Sequence, residues 1–257
     1  MKTLWSGLCV AVSLYSKLPA PKTEWDDRTM RYALGFLPLI GAAIGALSWG
    51  WLVLARRLTL VPALYGAVAV LLPILVSGGI HLDGFLDTCD ARCSYADREK
   101  RLKILEDPHV GAFAVVHLVG LLVLCFGLFC QLYQAPRAVL PLALGYPLAR
   151  TIGGLAIVTI PCAKESGLAR TFADASDRRG VAAVLLMQAA LCLLLILWWD
   201  WRFGMVSAIL GGGLLWWHRR LCLRDFGGVT GDLAGYVITL GETLMLALCV
   251  LYGLIVR

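Results

Sequence analysis

Between Gly78 and Asp90 the chain reads Gly-Gly-Ile-His-Leu-Asp-Gly-Phe-Leu-Asp-Thr-Cys-Asp, which sets Asp83, Asp87 and Asp90 at i, i+4 and i+7. At about 3.6 residues per turn, a helix holds these carboxylates within a wedge of roughly 60°. No lysine or arginine falls between Ile80 and Arg92 to neutralise them. Like charges on one face repel unless a cation sits among them. Hard oxygen ligands suit Mg²⁺ or Mn²⁺, and Mg²⁺ commonly shares its shell with substrate phosphates. The spacing therefore predicts a metal-phosphate site with Asp83, Asp87 and Asp90 as ligands. An ordinary solvated helix end would mix its charge signs, as Asp97–Lys103 does. Gly84, between the ligands, is expected to leave a bulky substrate room against the backbone, and His81 is read as a hydrogen-bonding neighbour.

Other polar features accompany the cluster. Asp107 stands just before Pro108, a residue suited to a first helical turn, so capping competes with a functional role there. Lys164 and Arg170 flank the glycine turn at Gly167, where basic side chains suit phosphate contact as well as a solvated loop. Gly227-Gly228-Val229-Thr230-Gly231-Asp232 opens the last apolar stretch. A glycine-rich turn into a helix amino terminus presents N–H groups to an anion, which makes Thr230, Gly231 and Asp232 substrate-binding candidates; a plain N-cap by Asp232 is the alternative. Arg150 and Glu242 lie inside apolar stretches, where charge is expensive and faces a cavity or a partner.

The elements that must position these residues follow from composition. Of 257 residues 60% are apolar and 16% charged, with a mean hydropathy of +0.78, against about 45–50% and about 25% in soluble domains. A soluble core of this size cannot hide so much apolar surface, so lipid must take part of it. A disordered chain, a nucleic-acid-binding domain and a soluble enzyme with a peripheral anchor are excluded. The nine cysteines are scattered through apolar runs and make neither a zinc pattern nor a disulfide framework. Tyr32–Ala55, Leu58–Ile80, Val110–Gln134, Ala138–Ala163, Gly180–Trp199, Phe203–Trp217 and Leu233–Val256 read as membrane spans. Thr3–Ser16 is read as an interfacial or re-entrant helix, with a full eighth span as the alternative, rather than a signal peptide, since Lys17–Lys22 offers no cleavage site. Seventeen of the 23 basic residues fall on one side of this arrangement and five on the other. Excess Lys/Arg marks the cytoplasmic side. The expectation is an all-α polytopic membrane helical bundle of about seven transmembrane helices plus the N-terminal helix. It forms a single integral membrane domain over residues 1–257, with cytoplasmic catalytic loops at approximately 81–110, 161–180 and 218–232. The oligomeric state is left open, a homo-oligomer included.

With these residues in place, the chain resembles the cobalamin-5′-phosphate synthases, also called adenosylcobinamide-GDP ribazoletransferases. The resemblance lies in His81-Leu-Asp83-Gly84-x-x-Asp87-Thr88-x-Asp90, Asp107-Pro-His-Val-Gly111-Ala112-Phe113, Gly167-Leu168 followed by Phe172, Gly227-Gly-x-Thr230-Gly231-Asp232 and the early Lys17-Leu18-Pro19. The blocks keep the family's order and cover the chain nearly end to end. Two departures are Ala91, where the family usually has glycine, and His109. Losing glycine at 91 bears on the geometry just after Asp90.

The resemblance implies a multi-pass enzyme of the bacterial inner membrane, with its active site facing the cytoplasm. It would join adenosylcobinamide-GDP to α-ribazole or its 5′-phosphate and release GMP, with Mg²⁺ as cofactor. Asp83, Asp87 and Asp90 would hold the metal, and one of them or Asp107 would orient or deprotonate the attacking hydroxyl. His81, Lys17, Lys164, Arg170, Arg150, Thr230, Gly231 and Asp232 would contact substrate. Other readings fit less well. A CDP-alcohol phosphotransferase would follow Asp-Gly with an Ala-Arg pair, which is absent at Asp83-Gly84, and Asp174-x-x-Asp177 makes a poor second prenyltransferase motif beside Arg178 and Arg179. A cation transporter would carry its acids near the bilayer midplane.

Overall fold

The computed structural model describes residues 2–23, 26–164 and 177–255. Among them the chain forms α1 (Lys2–Tyr15), α2 (Asp27–Arg57), α3 (Pro62–Ser77), α4 (Ile80–Cys93) and α5 (Arg98–Ile104). It continues as α6 (Ala112–Leu132), α7 (Val139–Thr159), α8 (Arg178–Trp199), α9 (Trp201–Leu221) and α10 (Gly231–Ile255). The one β feature among the described residues is a parallel bridge between Cys162 and Val229.

All seven expected apolar stretches carry a helix. Five helices (α2, α6, α7, α8 and α10) are long and apolar enough to cross a membrane, and a sixth span results if α3 and α4 count as one bent unit. α9 forms over 21 residues but is diluted by glycine and does not reach that mark. The centre of the bundle is α7, whose span is 83% buried against 11% for α6. It packs on α2, α8 and α10, with Gly41 of α2 seated on the backbone of Pro147. α6 instead exposes Val116, Val119 and Val123 as a lipid-facing surface would. α1, at about 21 Å for 14 residues, is too short to span and packs on α2.

The second expected span stops early. Gly78 and Gly79 both adopt left-handed φ, 66° and 84°, a region open to glycine at little cost. The amides of both residues turn back to the Ile74 carbonyl, closing α3. α4 then departs at 96°. The aspartates therefore belong to a separate short helix lying at the polar end of the bundle, not to the end of a span. α4 continues unbroken through Ala91, which is fully buried, so alanine there supports the helix.

The two ends differ in charge. One end gathers α4, α5, Lys164 and the segment from Arg219 to Asp232 through Glu106–Lys164 and Arg101–Asp225 ion pairs of 2.8 and 3.5 Å. The other is fixed by Asp200, which caps α9 and accepts from Tyr252 Oη at 2.6 Å, and by Arg56 stacked over Tyr133.

Candidate functional site

α4 is amphipathic in an unusual sense. His81, Gly84, Phe85, Thr88, Cys89 and Ala91 are buried, while Asp83 is exposed and Asp87 and Asp90 are half-buried. The buried face crosses α10 at Gly84 and Gly235. A Cβ on Gly84 would stand 2.6 Å from the Asp232 carbonyl oxygen, and one on Gly235 would stand 3.1 Å from that of His81. The room at Gly84 is thus filled by the α10 backbone and not left for substrate. Small residues at such a crossing let two helices approach closely. The consequence is chemical: Asp232 is carried to the aspartate face.

Asp87 records the crowding. Its carboxyl is pushed up to about 7, first by partial burial and then by the charges of Asp83, Asp232 and Asp90. Asp90 lies against Gly111, whose Cα it covers at the start of α6. Among the described residues no three acidic, histidine or cysteine side chains close into a metal cage by themselves. Mg²⁺ seldom needs one, since it keeps several waters and takes one or two carboxylates together with substrate phosphate. A row of carboxylates with Asp83 on its exposed side fits that mode of binding.

The glycine turn serves the fold more than an anion. Gly227, with φ 75°, ends the π turn Cys222–Phe226, and Gly228 sits on the backbone of Pro161 to Ala163. The Gly228 amide donates to Cys222 O at 3.0 Å and the Val229 amide to Pro161 O at 2.8 Å, so neither is open to a ligand. Thr230, not Asp232, caps α10: its Oγ1 accepts from the Leu233 amide at 3.2 Å and donates to Asp232 Oδ2 at 3.3 Å. Gly231 is exposed at the helix start with open space beside it.

Asp107 is exposed, and its Oδ1 accepts from the His109 amide at 2.9 Å and meets His109 Nδ1 at 2.7 Å. These contacts hold its carboxyl below the usual range. Pro108 precedes the Gly111 cap of α6 and is not in the helix's first turn. Lys164 pairs with Glu106, and its charge also acts on Asp232. Lys17 lays its stem over Gly78 at the α3–α4 hinge, its amide donating to Val76 O at 2.8 Å. Arg170 lies outside the described residues.

Arg150 and His81 belong to a different place. Arg150 is 1% exposed; its Nη1 contacts Glu242 Oε1 at 2.5 Å and donates to Tyr146 O at 3.1 Å. The pair lines a cavity of about 70 Å³ among α3, α4, α6, α7 and α10, together with His81. His81 is buried on the face of α4 away from the aspartates, and its Nε2 has no hydrogen-bond partner among the described residues. Arg150 and His81 therefore do not join the aspartate face. Sequence reading missed the Gly84–Gly235 crossing, although the spacing Gly231-x-x-x-Gly235 is its usual signal. It also missed Asp225, buried beside Arg101 and Arg224, which no local pattern marks.

The profile of the cobalamin-5-phosphate synthase family matches residues 7–250. A Lachnoclostridium phytofermentans protein named adenosylcobinamide-GDP ribazoletransferase is 37% identical over 255 residues, covering 98% of this chain and 96% of its own length. Proteins of the same name from Geobacillus thermodenitrificans and Clostridium perfringens are 36% and 33% identical, covering 95% and 94% of this chain and 95% and 96% of their own lengths. No solved structure matches the chain significantly.

Proposed function

Because this chain belongs to the cobalamin-5-phosphate synthase family, we propose that it is an adenosylcobinamide-GDP ribazoletransferase. It transfers the adenosylcobinamide-phosphate part of adenosylcobinamide-GDP to a hydroxyl of α-ribazole or α-ribazole 5′-phosphate. The hydroxyl oxygen forms a bond to the cobinamide-bearing phosphorus, the bridging P–O bond breaks, and GMP leaves with the electron pair. The hydroxyl proton passes to a carboxylate. The observation that carries this reading is the aspartate face, where Asp87 is raised to about 7 by burial and its neighbours' charges. A row of acids so arranged calls for a divalent cation and a polyanionic substrate.

Asp83, Asp87 and Asp90 would hold Mg²⁺, which when bound would neutralise charge on the diphosphate. Asp232 is the better proton acceptor than Asp107. It faces α4 across the Gly84 crossing, whereas Asp107 is engaged with His109 and held acidic, which weakens it as a base. Lys164, beside Asp232 and paired with an exposed Glu106, would steady the phosphate of departing GMP. The seventeen-to-five distribution of basic residues supports an inner-membrane orientation with this end in the cytoplasm.

The test is incubation of the purified full chain with adenosylcobinamide-GDP and α-ribazole, with and without Mg²⁺. Equal amounts of GMP and cobalamin product are expected, with Mg²⁺ required. No product with both substrates and Mg²⁺ present would sink the activity, and turnover undiminished by chelation would sink the metal. Orientation is read separately. In a cysteine-free background, a cysteine at Ala96 should be protected from an impermeant thiol reagent in intact cells and one at Ala135 labelled.

A further inference from the structure

The face of α4 opposite the aspartates meets an arginine cluster that the transfer reaction does not use. Arg92 follows Asp90 by two residues, about half a turn away around the helix. Its Nη1 donates to Tyr236 Oη at 2.7 Å, and its guanidinium lies 6.0 Å from the Trp217 ring centre and 5.9 Å from that of Tyr236. Phe85 stacks on Tyr236 and fills the space behind. From α9, Arg220 lies over Trp216 at 4.1 Å. Arg92, Trp216, Trp217 and Arg220, with Arg224 and Leu223, line a cleft of about 590 Å³. Arg92 and Arg224 also line an adjoining pocket with Arg101, whose buried Nε has no hydrogen-bond partner among the described residues. Asp225 is the one acid among the described residues lining either space, and it already serves both Arg101 and Arg224. Four guanidinium groups thus line two adjoining spaces that hold a single carboxylate, which pairs with two of them.

The place of the cleft along α9 indicates what fills it. Upstream, Met205, Val206 and Ile209 are exposed apolar residues, as lipid-facing positions are. Trp201 at one end of α9 and Trp216 and Trp217 near the other are exposed to 65%, 58% and 37%, the placement of aromatic belts at two membrane interfaces. From Trp201 to Arg219 the helix rises about 27 Å, close to the roughly 30 Å of a hydrocarbon core. Arg220 and Arg224 therefore sit at headgroup depth, with tryptophans and Leu223 beside them to meet acyl chains.

We propose that this cleft is a binding site for the phosphate of an anionic phospholipid. Arg92, Arg220 and Arg224 take the headgroup, and Trp216, Trp217 and Leu223 flank its glycerol and first methylenes. Guanidinium pairs suit phosphate oxygens, and Arg92 is already oriented by Tyr236 and Trp217. The substrate diphosphate is not the occupant, because α4 and the Phe85–Tyr236 stack stand between the cleft and the aspartates.

The full chain in detergent is titrated with dioleoylphosphatidylglycerol or dioleoylphosphatidylcholine, and retained lipid is counted by native mass spectrometry. Wild type should retain phosphatidylglycerol with about tenfold preference, and Arg220→Gln/Arg224→Gln should reduce this to within about twofold. Equal retention of the two lipids by wild type, or a preference that survives the double variant, overturns the site. Should the double variant not fold, Arg220→Gln alone, at an exposed position, must weaken the preference, and Arg220→Lys must keep most of it. Millimolar inorganic phosphate or GMP is expected to leave lipid retention unchanged. Displacement by either would make this a soluble-phosphate site and overturn the lipid assignment. The readout is lipid retention, so its failure leaves the transfer reaction untouched.

Discussion

The aspartate face of α4 and the Arg150–Glu242 pair are both costly places to put charge, and the molecule resolves them differently. Arg150 is buried to 1% exposure and meets Glu242 at 2.5 Å, so each charge is answered within the fold. On α4, Asp87 is raised to about 7, first by partial burial and then by the charges of Asp83, Asp232 and Asp90. Buried opposite charges that close on each other need no third ion to balance them, even though Arg150 Nε itself has no hydrogen-bond partner among the described residues. Like charges that remain crowded are destabilising as they stand, and such frustration persists where a ligand relieves it.

The largest expected effect lies on the closed pair. Arg150→Met leaves Glu242 buried without its partner and should cost on the order of 3–5 kcal/mol, read as lost thermal stability in detergent. Arg150→Met/Glu242→Met should recover most of it. If the single variant is silent, the pair is not structural and the contrast fails. On the open side, Asp87→Asn should lower turnover at least about 100-fold, on the order of 2.7 kcal/mol in the barrier, with membrane insertion intact. Turnover within about tenfold of wild type at millimolar Mg²⁺ would remove it from the metal site. Asp232→Asn should lower turnover at least about tenfold, roughly 1.4 kcal/mol, and leave stability alone, because the α10 cap is Thr230. Thr230→Ala should show the reverse emphasis, costing about 1 kcal/mol of stability. Equal stability losses at both positions would merge the two roles.

The smallest effect is a pH dependence. The Asp87 carboxyl is raised from 3.8 to about 7, so between those values the folded protein holds a proton that the unfolded chain has released. This group's contribution to stability therefore falls as pH rises through that window and is at its least favourable above about pH 7. Asp87→Asn, though the slower enzyme, should be the more stable protein at about pH 8, by on the order of 1 kcal/mol once solvent screening of a half-exposed group is allowed for. The difference should vanish near pH 4 and shrink when Mg²⁺ is added to wild type, whose apparent Mg²⁺ affinity should rise across the same window. Thermal melts across pH, with and without Mg²⁺, read all three. A wild type that gains stability from pH 4 to 7 relative to Asp87→Asn would contradict the crowding.

How much of this was legible beforehand depends on whether the signal is local. The i, i+4, i+7 spacing of Asp83, Asp87 and Asp90 is a property of any helix, and α4 carries it as expected. Seven apolar stretches became helices because their length and composition admit little else, and the N-terminal stretch, too short to cross, packed on α2. The hinge at Gly78-Gly79 was visible as a glycine pair but its 96° turn was not. Gly84 was misjudged because a glycine in sequence says that something approaches, not what.

Composition and helical period alone dictate a lipid-facing bundle, the polarity of its two ends and a row of carboxylates without counter-charge. Packing between distant helices brings Asp232 to that row through the Gly84–Gly235 crossing and gives the cap to Thr230. The same packing closes Arg150 on Glu242 and gathers four arginines behind α4. The reason is physical. Which face a side chain occupies is set by its own helix, whereas its partners are set by how closely two backbones can pack, and that distance depends on residues far apart in the chain.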